Sequence, residues 1–156
     1  MHRFVPQMTT DFLDDSFFMD QALQQAQRAY EEEEVPIGAV IVHNNRVIGK
    51  GYNQTETLKD VTAHAEMLAI TAAANHVGSK YLEDCTLYVT IEPCVMCMGA
   101  IKAARIPKVV VGALEPKTGY SQFLSPDYST SIAVSSGTKE EACAGLMRSF
   151  FKTKRR

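Results

Sequence analysis

Four side chains in two short strings hold most of the chemistry this chain can offer. They are His64 and Glu66 in His64-Ala65-Glu66, and Cys94 and Cys97 in Pro93-Cys94-Val95-Met96-Cys97. One imidazole and two thiols suit a zinc ion. Three protein ligands leave a fourth position open, as in catalytic rather than structural zinc sites. Glu66, two residues past the histidine, is a carboxylate suited to proton transfer on a water at that open position. A Cys-x-x-Cys pair alone also fits a redox pair or half of a four-ligand structural site. The redox reading lacks a thioredoxin-like pattern around it, and the structural reading needs another spaced Cys or His. Cys85 and Cys143 fall in a strand and in a late helix and read as small core residues. His43 and His76 read as solvent-facing, and His2 lies near the chain start.

Each string needs an element to hold it. Apolar periodicity predicts a helix over 16–33, with Ser16 as N-cap, and a helix over 63–75 that carries His64 in its first turn. The β-branched run 85–91 predicts a strand, and Pro93 opens a helix to about 104 with both cysteines on one face of its first turn. Two helix N-termini then converge on one ion, and their dipoles favour thiolate. Strands over 36–42 and 47–53 form a hairpin, and a strand over 108–113 lies parallel to 85–91 through a right-handed crossover. Residues 114–137 read as a long loop with a short strand at 132–134, followed by a helix over 139–151. This order describes an α/β layered domain with a mixed sheet. Residues 1–15 read as a poorly ordered N-terminal extension, and 16–156 as a single domain.

The 156 residues, 46% of them hydrophobic, suffice for one buried core. No apolar run reaches membrane-spanning length and no signal-peptide pattern opens the chain, so a cytoplasmic location is expected. The formal net charge of −2 excludes a globally basic nucleic-acid binder. Yet Arg148, Lys152, Lys154, Arg155 and Arg156 form a local basic tail beside Phe150 and Phe151. A solvated helix end explains the cations, since positive charge suits a helix C-terminus; phosphate contact explains them too. Two adjacent aromatics point in different directions on a helix, so packing accounts for one and leaves the other to stack on an unpaired base. The run Glu31-Glu32-Glu33-Glu34 opposes the helix dipole and reads as a solvated loop.

The H-x-E…P-C-x-x-C pattern marks the zinc nucleobase deaminases. Added to it are Val35-Pro36-Ile37-Gly38-Ala39-Val40, Thr62-Ala63-His64-Ala65-Glu66, the string Leu87 to Cys97, Lys117-Thr118-Gly119 and Ser149-Phe150-Phe151-Lys152. With these the chain resembles the bacterial tRNA-specific adenosine deaminases over nearly everything from Ser16 to Lys152. The resemblance implies a three-layer α/β/α cytidine-deaminase-like fold with about five strands, assembled as a homodimer. It implies one zinc per subunit on His64, Cys94 and Cys97, with Glu66 shuttling protons. The implied reaction is hydrolytic conversion of the wobble adenosine to inosine in the anticodon of an arginine tRNA. Asn53 matches the family's base-contacting asparagine, and Phe150, Phe151 and Lys152 match the helix end that touches the anticodon loop. Glu115 and Lys117 belong to the loop expected to contact RNA. The chain departs from the family's better-known members at Glu115, where Asp is common, at Tyr120, and in a shorter 120–136 loop without histidine.

Two other functions fit the same residues. A zinc deaminase of a free base or nucleoside, of guanine or cytidine type, needs no basic aromatic tail. A non-catalytic zinc-stabilised RNA-binding module makes no use of Glu66.

Overall fold

The hairpin comes first. Strands β1 (Gly38–His43) and β2 (Arg46–Tyr52) pair antiparallel across Asn44-Asn45, both at positive φ (50° and 61°), the backbone a tight twisted hairpin turn requires. Strand β3 (Thr86–Ile91) pairs antiparallel with β1; β4 (Lys108–Ala113) and β5 (Ala133–Ser136) then follow in parallel. The five-stranded order is β2-β1-β3-β4-β5. The computed structural model describes residues 13–154, and all of these elements lie within them.

Helices cover both faces: α1 (Asp15–Glu31), a one-turn α2 (Thr55–Leu58), α3 (Ala65–Val77), α4 (Val95–Ala103) and α5 (Glu140–Lys154). Ala39, Ile41, Leu87, Val89, Val109 and Val111 meet Ala65, Ala69, Ala73, Met98 and Ile101 of α3 and α4. The alternate residues Val40, Val42, Tyr88 and Val110 meet Phe18, Met19 and Ala22 of α1 and Cys143 of α5. Strands buried on both faces read as continuous apolar runs, which is why Val109-Val110-Val111 shows no alternation. The result is the three-layer α/β/α arrangement expected from the sequence.

Helix α3 lies on β2 with almost nothing between them. A Cβ on Gly51 would overlap the carbonyl of Ala65, and one on Gly49 would come within 2.8 Å of the Ala73 nitrogen. Alanines on the helix and glycines on the strand allow this approach, and they fix where the start of α3 sits over the sheet.

Some expected boundaries move. Helix α1 starts at Asp15 and is capped by Asp14, whose carboxylate accepts from the Phe17 N–H at 3.0 Å; Ser16 lies inside the helix and is not its cap. Asp15 therefore leaves the segment expected to be poorly ordered, of which residues 1–12 lie outside the described residues. Cys85 precedes β3, and α5 continues past Phe151 to Lys154. The 114–137 segment contains two short 3₁₀ turns, Tyr120–Gln122 and Pro126–Ser129, before β5. Among the described residues no helix is long and apolar enough to cross a membrane.

Candidate active site

His64 and Cys94 are not in the first turns of their helices; each is the N-cap, one step earlier, with extended backbone. That position favours Ser, Thr, Asp or Asn, whose side chains bond the exposed N–H groups of the first turn. His64 makes no such bond, and the Cys94 sulfur offers only a weak acceptor to the Cys97 N–H. Two helices thus begin with poor caps whose side chains turn to each other instead. Cys97 lies in the first turn of α4, as expected, and is buried.

The three groups converge. His64 Nδ1 lies 3.6 Å from Cys94 Sγ and 3.4 Å from Cys97 Sγ, and all three ligand atoms fall within 4.8 Å of one another. With Zn–N near 2.0 Å and Zn–S near 2.3 Å, a tetrahedral ion sets its N···S edges at about 3.5 Å. The observed spacings match those edges. The donor set fits as well. The Cys94 thiol is pulled down to about 4, first by its hydrogen bond with Cys97 and further by His64, against the opposing effect of burial. The same bond to Cys94, together with burial, pushes Cys97 up. The His64 imidazole is raised, chiefly by its hydrogen bond to Cys94. A divalent cation at the centre neutralises this sulfur charge, so the residues present fit zinc.

Glu66, in the first turn of α3, is buried beside this trio, within hydrogen-bonding reach of Cys97. Burial pushes its carboxyl up to about 7, partly offset by a backbone N–H bond and by the His64 charge. Burial thus favours its protonated form more than in an exposed carboxyl, which suits a group that both takes and gives a proton.

The remaining residues singled out from the sequence fall in two places. Asn53 directly follows β2 and is buried; its Nδ2 donates to Val35 O at 3.3 Å and its Oδ1 accepts from Thr55 N at 3.3 Å. One N–H and one lone pair remain to it. Glu115 turns back on its own loop, accepting from Lys117 N at 2.8 Å, while the Lys117 side chain is exposed. This loop reaches the metal end through Tyr120 N, which donates to Pro93 O at 2.9 Å. At the end of α5, Phe150 is buried edge-on against Tyr30, whereas Phe151 is 42% exposed and Lys152 is exposed. Lys154 pairs with Glu33 at 3.4 Å. A cavity of about 310 Å³ beside this helix end is lined by Glu33, Glu34, Val35, Thr55, Glu56, Phe150 and Lys154.

Two carboxylates escaped the sequence reading. Glu34 is not solvated with its three exposed neighbours. It is 1% exposed and accepts from Glu56 N at 3.1 Å and from Thr57 N and Oγ1 at 2.7 and 2.6 Å, so it caps α2. Glu92 is also buried; it accepts from Glu115 N at 3.0 Å and from Ser121 N and Oγ at 3.0 and 2.6 Å. The available signal was a charge abutting an apolar strand: Glu34 sits just before Val35-Pro36-Ile37, and Glu92 just after Ile91.

Comparison with known proteins agrees with this geometry. The family described as "Cytidine and deoxycytidylate deaminase zinc-binding region" matches residues 13–113. The tRNA-specific adenosine deaminase of Bacillus subtilis (strain 168) is 43% identical over 147 residues, covering 91% of each chain. A solved structure of a tRNA:A34 deaminase, described for A-to-I editing at the wobble position of transfer RNA, superposes with a TM-score of 0.78 at 43% identity. It covers 83% of this chain and 97% of its own. A guanine deaminase from Nitrosomonas europaea has a TM-score of 0.78 at 21% identity, over 86% and 83% of the two chains, a likeness of fold alone. The fold and site define a zinc-binding deaminase of the cytidine-deaminase type, a hydrolase. Within that class the chain belongs to the family of tRNA-specific adenosine deaminases.

Proposed function

We propose that this chain hydrolyses the wobble adenosine of an arginine tRNA anticodon to inosine and ammonia, with one zinc ion per subunit on His64, Cys94 and Cys97. The observation that carries the reading is the buried carboxyl of Glu66 beside a three-ligand cluster whose spacing fits a catalytic metal. The tRNA-specific relatives support the substrate. A zinc ion in this trio supplies Lewis-acid activation of a water molecule at neutral pH. Glu66 receives the proton of the attacking water and passes it to the purine ring nitrogen as C6 is attacked. It then helps protonate the departing amine, so water and adenosine become inosine and ammonia. Asn53, directly after β2, retains one donor and one acceptor for the target base. Phe151 and Lys152 offer an exposed ring and a cation for an unstacked anticodon loop, already single-stranded and therefore cheap to splay. The enzyme acts as a homodimer in the cytoplasm, which light scattering and fractionation test.

The decisive experiment incubates the zinc-loaded protein with arginine tRNA, free adenosine, cytidine and guanine, and measures ammonia and inosine. Inosine in the tRNA alone is the expected result. Ammonia from a free base or nucleoside, with tRNA unaltered, overturns the substrate and favours a small-molecule deaminase.

A further inference from the structure

The buried carboxylate of Glu92 belongs neither to the metal trio nor to the proton path. It follows β3 directly, immediately before Pro93 and Cys94, and all its side-chain hydrogen bonds run to one distant segment. Oε1 accepts from Glu115 N, and Oε2 accepts from both Ser121 N and Ser121 Oγ. Between these two anchor points the chain closes tightly on the carboxylate, because a Cβ on Gly119 would overlap it. The next residue adds a further tie, Tyr120 N to Pro93 O at 2.9 Å. Lys117 and Thr118 ride on the span so pinned, and their N–H groups are bonded by Glu115. Apart from the Glu115 to Gly119 turn and the 3₁₀ turn that begins at Tyr120, the 115–121 segment is a connection with no strand ladder to fix it. One carboxylate therefore gives this segment its position relative to the strand end that presents Cys94.

We propose that Glu92 is a positioning residue that holds the Glu115–Ser121 loop, and with it Lys117, against the metal end as one wall of the substrate site. The inference rests on the tRNA reading above for the identity of the substrate, and not for the anchoring. The bonds are charge-assisted and buried, so a partial replacement leaves a graded defect. Glutamine at 92 keeps one acceptor and can donate to Ser121 Oγ, but it sets an N–H₂ against the Ser121 N–H. Alanine loses all three bonds. Alanine at 119 displaces the carboxylate from the other side and leaves its charge in place.

Glu92→Gln, Glu92→Ala and Gly119→Ala are compared with the parent by amide exchange of the 115–121 peptide, zinc content, and kcat and KM on tRNA. Expected is exchange faster by about tenfold or more in Glu92→Ala and Gly119→Ala, with Glu92→Gln intermediate. KM should rise roughly fivefold or more in the same order, with zinc near one equivalent and kcat within about threefold. Adding Lys117→Ala to Glu92→Ala should raise KM less than the product of the single effects. Zinc loss in proportion to lost activity overturns the proposal and assigns Glu92 to the metal helix. Unchanged KM in folded, zinc-loaded variants also overturns it, leaving a structural role only; if Glu92→Ala fails to fold, the glutamine and Gly119 variants decide. A parent inert on tRNA sinks the substrate reading instead, and the exchange rates still report whether Glu92 holds the loop.

Discussion

Two buried glutamates, each at the N-terminus of a helix, show how one residue type serves two purposes. Glu34 and Glu66 are both almost fully covered, and burial pushes both carboxyls upward. At Glu34 the Thr57 hydroxyl and the N–H groups of Thr57 and Glu56 reverse that push, and the group ends below the ordinary carboxylate value. At Glu66 a backbone N–H and the His64 charge offset burial only in part, and the group ends near 7. A satisfied carboxylate stabilises a turn, whereas an under-satisfied one beside a metal trio is ready to exchange a proton. Three donors at Glu34 against one backbone N–H at Glu66, together with heavier desolvation at Glu66, separate the two.

The largest effect should come at Glu66. Glu66→Gln is expected to lower turnover by roughly 10²–10⁴-fold while zinc content and tRNA binding stay at parent levels. Single-turnover assays with metal analysis check it, and activity within a few-fold of the parent would erase the contrast. Glu34→Gln should instead cost about 1–3 kcal/mol of stability in urea unfolding, because an N–H₂ replaces an acceptor facing buried donors. Here the sign with pH is fixed by the lowered carboxyl. The stabilisation is complete above the ordinary carboxylate value and is lost as pH falls through the lower folded value. The gap between parent and Glu34→Gln should therefore close in acid; a gap that widens there contradicts the assignment.

Smaller effects belong to the surface. Neutralising Lys152, Lys154, Arg155 and Arg156 should weaken tRNA binding and flatten its log–log salt dependence by ~0.7 for each phosphate no longer neutralised. Since Lys154 is already paired with Glu33, Lys152→Ala should reduce affinity more than Lys154→Ala. Equal binding by parent and the four-site variant would leave the tail a solvated helix end. Cys85→Ser and Cys143→Ser should change least, keeping about one zinc per chain. Zinc loss in either would show that burial at those positions hides a ligand.

The sequence made the metal end legible because its parts are local. His64 and Glu66 are two residues apart, Cys94 and Cys97 three, and each pair is placed by one helix start. The sheet was legible for a similar reason, since Val109-Val110-Val111 and Cys85 to Ile91 are unmistakable buried runs. Glu34 and Glu92 were not legible. Their partners lie 22–29 residues away, and only folding brings a capping N–H to each. Capping by Asp14 in place of Ser16 was missed because both are good caps and local sequence does not choose between them. Of the aromatic pair, helical geometry correctly splits Phe150 from Phe151, but only the neighbouring Tyr30 decides which one is buried.

The seam of Gly49 and Gly51 under Ala65, Ala69 and Ala73 acts as a datum line for the whole catalytic end. Because backbone rests on backbone there, no rotamer can absorb an error. A methyl group added to the strand lifts or slides the first turn of α3, and His64 and Glu66 travel with it as a rigid pair. Cys94 and Cys97, carried by a different helix, do not follow. The relative placement of His64 and of Cys94 and Cys97 is thus set along a strip of small residues outside the trio. A variant of that strip that still folds loses stability and holds its two half-sites out of register as well.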